Sequence, residues 1–167
     1  MEHRYLKIAL TLSVGLLALV YAAHNIVNWG AATDAVGYVL SRQEHQLYSV
    51  SLVPAISSPA IHALVTGIIC VGEIAAGLVS LIGAWQLWTA RNAEALLFAA
   101  AKRFAVIGAG LAALVWFLLF AVFGGALYQM WQTEVGAASL EGAWQFSGLA
   151  FLTLIYLSLP YGETREV

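Results

Sequence analysis

Residues 60–88, AIHALVTGIICVGEIAAGLVSLIGAWQLW, decide the fold of this chain. The run is apolar throughout except for one acid near its middle, Glu73. About 20 consecutive apolar residues are enough for a helix to cross a bilayer, and this run is longer. A carboxylate inside such a run is costly in lipid, so Glu73 is the first residue for which we expect a function.

The composition extends this interpretation to the whole chain. Of 167 residues, 62% are hydrophobic and 10% are charged, whereas a soluble domain has about 25% charged residues. A small chain has too little interior to hide so much apolar surface from water. We therefore predict an integral membrane protein in contact with the lipid bilayer. The chain has no basic patch, so nucleic acid is not an expected partner, and Cys70 is the only cysteine, which excludes an internal disulfide.

Four apolar segments predict an all-α protein, a four-helix antiparallel transmembrane bundle that forms one domain over residues 1–167. The predicted spans are residues 8–26, 60–88, 104–131 and 143–159. Residues 27–59 and 132–142 would then form outer loops, and residues 89–103 an inner loop. The first outer loop has few charges, so we expect it to lie on the membrane surface or on a partner, with a short interfacial helix through Val39-Leu40 as one option.

The basic residues orient this bundle. With four spans, Arg42 falls on one side of the membrane, and the other six basic residues fall on the opposite side, namely Arg4, Lys7, Arg91, Lys102, Arg103 and Arg165. Cytoplasmic loops carry an excess of Lys and Arg. We therefore expect a multi-pass protein of the bacterial inner membrane with both termini in the cytoplasm.

Small residues form two stripes at helical spacing. They allow helices to approach closely in lipid, where packing rather than hydrophobicity drives association. The first stripe lies in the second span and the second stripe in the third, so we predict helix-packing roles for Gly72, Ala76, Ser80, Ala84, Ala105, Ala109 and Ala113.

Several roles are open to Glu73. It could carry protons, bind a cation, or pair with a basic group of another subunit, and acids within a membrane span often mark such sites. No Lys or Arg of this chain is expected at the same depth, so an internal ion pair is not predicted. The simpler alternative is a neutral Glu73 that hydrogen-bonds two helices together.

Three histidines are weak candidates for a metal site. His24 and His62 are predicted at the same membrane level, at the outer ends of adjacent spans, and His45 lies in the loop above them. Three such residues could hold a metal ion, or two could ligate a haem. The alternative is that they simply contact water or lipid headgroups. The sequence thus leaves the cofactor unknown, with none as the default.

The chain also resembles a known family. The similarity is carried in order by Arg4 and Lys7, Asn25-Ile26, Asp34, Val39-Leu40-Ser41, Ser58-Pro59 with His62, Glu73 with Gly77, Trp116, Gly124-Gly125 and Trp131-Gln132. This pattern resembles a bacterial family described as predicted small integral membrane proteins, a domain of unknown function. The resemblance implies a four-helix inner-membrane protein without an established activity. It adds Asn25, His62, Asp34, Trp131 and Gln132 to Glu73 as functional candidates.

The chain departs from that family pattern at two places. His24 stands where the family tends to have Asn, and Arg42-Gln43 stands where Met-Asp is expected. The second departure removes an acid that the family pattern would place in the first outer loop.

Four functions remain open at this point. No phosphate-cradling loop, nucleophile elbow or zincin pattern is present, so nothing supports a hydrolase or a nucleotide-driven enzyme, and an enzyme that acts on lipid is the most distant of the four. The favoured hypothesis is a non-catalytic accessory subunit that packs against other membrane proteins or against itself. The alternative is an oligomeric transporter of a small solute, ion or proton through Glu73. A haem- or metal-binding redox protein that uses His24 and His62 is the third.

Overall fold

The structure, a computed structural model, describes residues 2–48 and 50–160. This part of the chain is helical: α1 Glu2–Val27, α2 Trp29–Leu40, α3 Pro59–Thr89, α4 Ala95–Ala101, α5 Arg103–Leu114 and α6 Glu134–Ser158. A π-helical segment, Val115–Leu127, continues α5, and Met130–Gln132 form a 3₁₀ turn. The predicted all-α class is confirmed, while Arg165, which was used for the orientation, lies outside the described residues.

Three helical stretches in the described residues are long and apolar enough to cross a membrane, namely Glu2–Val27, Pro59–Thr89 and Ala95–Leu127. The fourth predicted span, residues 143–159, corresponds to α6. This helix begins nine residues earlier, at Glu134, because Thr133 caps it by accepting a hydrogen bond from the Gly136 amide at 3.0 Å. The first turns of α6 contain Glu134, Ser139 and Glu141, so α6 is less apolar than the other three stretches.

Contacts between helix ends show that neighbouring long helices run in opposite directions. The Arg4 guanidinium, in the first turn of α1, donates hydrogen bonds to the carbonyls of Arg91 at 2.9 Å and Ala93 at 2.7 Å, which follow α3. The Lys7 ammonium donates to the carbonyl of Leu159, which follows α6. The start of α1 and the ends of α3 and α6 therefore lie together. We call this the basic end of the bundle, and the opposite end the distal end.

The core is built on a close approach between α3 and α5. A Cβ added to Gly108 would lie 2.6 Å from the backbone nitrogen of Ser80, and one added to Gly83 would overlap the backbone of Ala105. The two backbones are thus in contact, which small residues alone permit. The stripe residues lie in these interfaces: Gly72 faces Val115, and the side chains of Ala76, Ser80, Ala84, Ala105, Ala109 and Ala113 are buried.

The predicted outer loop between the first two spans contains α2. The chain turns at Asn28, and α2 then follows the first turns of α3, since Trp29 lies beside Gly67 and Gly37 lies against the ring of His62. α2 and α3 therefore run antiparallel beyond the end of α1. We call α2 and residues 41–58, of which Ser49 is outside the described part, the distal cap.

The third long helix widens towards the distal end. In the π-helical segment the hydrogen bonds join residues five apart, as from the Tyr128 amide to the Phe123 carbonyl at 2.9 Å. Gly124 and Gly125 lie within this segment, and Gln129 follows it with a positive φ of 57°. Such wide helices are rare and often lie at functional sites. Here the segment forms a wall of two cavities.

Candidate functional site

Asn25 and Glu73 meet at the distal end of α1. The Asn25 amide donates a hydrogen bond to the Glu73 carboxylate, with 3.0 Å between Nδ2 and Oε2. Glu73 is 1% exposed, although α1 ends only two residues after Asn25, at Val27. Glu73 lies in the middle of α3, but α3 extends past α1. The acid is therefore level with the distal end of α1 and with the middle of α3.

Glu73 and Asn25 line a cavity of about 480 Å³ between α1, α3, the π-helical segment and α6. We call it the Glu73 cavity. The side of α6 contributes Ser139, Glu141 and Gln145 to its lining. Because these three residues are exposed on the surface, the cavity leads from the outside of the protein to the buried carboxylate.

Three aromatic rings form one wall of the Glu73 cavity. Tyr21 on α1 lies 4.7 Å from Phe146 on α6 and 6.1 Å from Trp116, measured between ring centroids. Trp116 and Phe146 are 5.5 Å apart, in an edge-to-face arrangement. Aromatic faces carry negative charge density and attract cations, most strongly where water is excluded.

The charge of the Glu73 cavity has one sign. Its lining includes two acids, Glu73 and Glu141, and no Lys, Arg or His among the described residues. A cleft lined by one sign of charge with low-dielectric walls concentrates ions of the opposite sign. The carboxylates and the aromatic wall together favour a positively charged guest.

Several residues of this cavity were not predicted as site residues, although the sequence contains a signal for some of them. Tyr21 precedes Asn25 by four residues, and Glu141 precedes Gln145 by four, so each pair shares a helix face. Two polar pairs on the faces of long helices are a usable signal. Nothing in the sequence indicates that Phe146 would meet Tyr21, because that contact depends on the register of α1 against α6.

Trp131 and Gln132 lie away from the Glu73 cavity and hold the distal cap. The Gln132 Oε1 accepts hydrogen bonds from the backbone amides of Leu47 at 2.9 Å and Tyr48 at 3.0 Å. The Trp131 ring packs edge-on against Tyr48, with centroids 5.3 Å apart. These two candidates therefore attach the first outer loop to the turn before α6.

His62 and Asp34 also belong to the distal cap. A ring nitrogen of His62, Nε2, is 2.8 Å from the Ile56 carbonyl oxygen, and the ring lies against Gly37. Asp34 is exposed on α2. Neither residue is among those that line the Glu73 cavity.

Two ionisable side chains of the distal cap have shifted pKa values. Tyr38 donates a hydrogen bond to Glu44 at 2.6 Å, and this bond, with smaller contributions from burial and the charge of Glu44, raises the pKa of Tyr38. Burial, with a smaller contribution from the charge of Arg42, lowers the pKa of His45. His45 is therefore favoured in its neutral form within the cap.

The structure separates two of the three histidine candidates, His24 and His62. The prediction that His24 and His62 lie at one level is wrong. His24 adjoins Asn25 at the level of Glu73, and His62 precedes Glu73 by 11 residues (73 − 62), or about 16 Å along α3. At this separation, His24 and His62 cannot both ligate the iron of one haem. The residues described include no group of three or more His, Cys, Asp or Glu that could hold a metal ion.

A second cavity, of about 320 Å³, lies between α2, α3 and the π-helical segment. We call it the apolar cavity, because aliphatic and aromatic side chains dominate its lining. Phe120 and Ser139 line both this cavity and the Glu73 cavity. The two cavities therefore adjoin.

A comparison with family models supports the membrane assignment. A family described as "Predicted small integral membrane protein (DUF2165)" matches residues 3–160. The chain belongs to this family. The predicted resemblance is thus confirmed, and this small integral membrane protein has several apolar helices, as the family description implies. No curated protein and no solved structure matches the chain significantly.

Proposed function

We propose that this small integral membrane protein is a carrier that binds a small cationic solute at Glu73. One observation carries the proposal: a carboxylate that is 1% exposed lines a surface-connected cavity with a second acid and an aromatic wall. A buried carboxylate needs a proton or a positive partner to balance its charge. The lining of the cavity supplies no basic side chain, so the partner comes from solution.

The carrier crosses the bacterial inner membrane four times, with both termini in the cytoplasm. α6 supports the fourth span by its length, because 25 residues at a rise of about 1.5 Å give about 37 Å, more than the hydrocarbon core of about 30 Å. Arg4, Lys7 and Arg91 gather at the basic end, which supports a cytoplasmic position for that end. The Glu73 cavity then opens on the outer side.

Glu73 and Asn25 have different roles in the proposed site. Glu73 provides the charge, and Asn25 holds the carboxylate in a fixed orientation through its amide. Because a proton and a cation compete for the same buried carboxylate, binding of the cation releases a proton wherever Glu73 was protonated. Such an exchange links movement of the solute to a proton gradient. All these groups belong to one chain, so the binding site does not require a second copy.

Uptake by reconstituted protein tests this proposal. Proteoliposomes with an imposed proton gradient should accumulate radiolabelled tetramethylammonium above empty liposomes. Glu73→Gln should abolish the accumulation, and Glu94→Gln, which changes an exposed acid at the basic end, should leave it unchanged. Equal accumulation in wild type, Glu73→Gln and empty liposomes would reject a carrier function.

A second candidate function, an accessory subunit, is supported by the surface of the distal cap. Leu47, Val50 and Leu52 are 73%, 82% and 90% exposed, and such apolar side chains suit a contact with a partner or with the membrane surface. The small-residue stripes, by contrast, are used within the chain. Extraction of native membranes in mild detergent, followed by mass spectrometry, should recover a stoichiometric partner if this function applies, and Leu52→Glu should release it.

A further inference from the structure

The apolar cavity begins where the Glu73 cavity ends. Phe120 and Ser139 line both, so a molecule that occupies the first can extend into the second. Their volumes, about 320 and 480 Å³, each fall within the range of about 300–1,000 Å³ typical of ligand pockets. Together, the two adjoining cavities form a charged compartment and an apolar compartment that one ligand can occupy.

The two compartments have complementary chemistry. The Glu73 cavity combines carboxylates with the rings of Tyr21, Trp116 and Phe146, an arrangement that suits an ammonium group surrounded by methyl or methylene groups. The apolar cavity takes aliphatic and aromatic side chains from three elements, including Val36, Val39, Val65, Ile69, Leu119 and Phe123. A hydrocarbon chain is the guest that gains most from such a lining.

The apolar cavity is also accessible from the side of the bundle. Ile61 and Ile68 on α3 and Phe123 on the π-helical segment line it, and they are 39%, 50% and 46% exposed. These residues stand on apolar helices that are long enough to cross a membrane. An alkyl chain can therefore enter the cavity between the two helices from an apolar surface.

From these observations we propose that the ligand is an amphiphilic organic ammonium. Its positive head lies in the Glu73 cavity against the aromatic wall, and its alkyl chain passes Phe120 into the apolar cavity. This inference rests on the proposed cation site at Glu73 and adds the substrate class. An inorganic cation or a proton would fill only the first compartment.

A displacement series tests the alkyl compartment. Purified protein is loaded with radiolabelled tetramethylammonium, which is then displaced by butyltrimethylammonium and hexyltrimethylammonium. Each methylene group moved from water into an apolar site contributes enough to tighten binding about fourfold. The longer compounds should therefore displace the label at progressively lower concentrations.

Two neighbouring positions on α3 provide matched variants. Val65 lines the apolar cavity, whereas Leu64 is 62% exposed and is not among its lining residues. Val65→Phe should abolish the dependence on chain length and leave tetramethylammonium binding unchanged, and Leu64→Phe should behave as wild type. Val36→Phe fills the same cavity from α2 and replaces Val65→Phe if that variant does not fold.

The possible outcomes distinguish a failure of the amphiphilic ligand from a failure of cation binding at Glu73. If tetramethylammonium binds through Glu73 but chain length has no effect, or if the dependence persists in both filled variants, the amphiphile is rejected and the cation site stands. If Glu73→Gln keeps the chain-length dependence, partition into detergent explains it and the amphiphile is again rejected. If Glu73→Gln binds every ammonium compound as wild type does, or if none binds to either protein, both the cation site and the amphiphilic ligand are rejected.

Discussion

The Asn25 amide donates to the Glu73 carboxylate across 3.0 Å and joins the end of α1 to the middle of α3. Since Glu73 is buried, this bond fixes the direction in which its second oxygen can face a guest. This bond makes Asn25 a positioning residue in the proposed binding of a cation.

Replacing Asn25 with Ala should weaken tetramethylammonium binding about tenfold or more. A hydrogen bond to a charged group contributes about 1.5–3 kcal/mol, and its loss leaves the carboxylate free to turn away from the guest. Isothermal titration calorimetry measures the change. Asn92→Ala, at an exposed position in the turn after α3, is the control and should bind as wild type. Equal affinities for Asn25→Ala and Asn92→Ala would remove Asn25 from the site.

The aromatic wall should contribute to affinity for ammonium ions. Phe146→Leu removes one ring from the Glu73 cavity while keeping an apolar side chain of similar size. Cation–π contacts contribute about 0.5–2 kcal/mol, so binding of tetramethylammonium should weaken about two- to thirtyfold. Phe151→Leu changes an exposed ring one and a half turns further along α6, outside the cavity, and should have no effect. If both variants bind alike, the rings serve packing only.

The contact between α3 and α5 should tolerate no added methyl group. Gly108→Ala places a Cβ 2.6 Å from the Ser80 nitrogen, whereas a Cβ at Gly110 meets nothing within 4 Å. Overpacking of a core costs about 1–3 kcal/mol, and Gly→Ala in an open helical position is neutral or favourable. Thermal unfolding in detergent should therefore show a lower Tm for Gly108→Ala and an unchanged or higher Tm for Gly110→Ala. The reverse order would contradict the described helix crossing.

The proposed topology predicts which positions an external reagent can reach. In a Cys70→Ala background, single cysteines replace Gln43 in the distal cap, Asn92 at the basic end or Ser158 at the end of α6. A membrane-impermeant maleimide added to intact cells should label the cysteine at position 43 and spare those at positions 92 and 158. Inside-out vesicles should show the opposite pattern. Labelling at position 158 in intact cells would exclude α6 as a fourth span.

Much of the fold could be predicted from the sequence, because apolar runs of this length have few alternatives to helices in a bilayer. The small-residue pattern at Ala76, Ser80 and Ala105 similarly indicates where helices can approach closely. Helix ends were less predictable. A short interfacial helix through Val39-Leu40 was expected as one option, and α2 includes both residues, but its start at Trp29 was not predicted because the Asn28 side chain makes no capping hydrogen bond.

The site was predicted only in part, for a geometric reason. Glu73 is conspicuous in its own helix, but its contact with Asn25 depends on how far α3 extends beyond α1. The same register separates His24 from His62, which were predicted to lie at one level. The aromatic wall combines Tyr21, Trp116 and Phe146 from three separate elements, and no spacing within a single helix reveals such a cluster.

Calorimetric titration of tetramethylammonium into purified wild type, Glu73→Gln and Glu94→Gln is the most direct test of the central claim, that Glu73 binds a cation. Removing one partner of a buried charge pair costs about 2–5 kcal/mol, so Glu73→Gln should bind at least about 30-fold more weakly. Glu94→Gln should match wild type, since Glu94 is exposed and lies outside the cavity. Indistinguishable affinities for wild type and Glu73→Gln would contradict the claim.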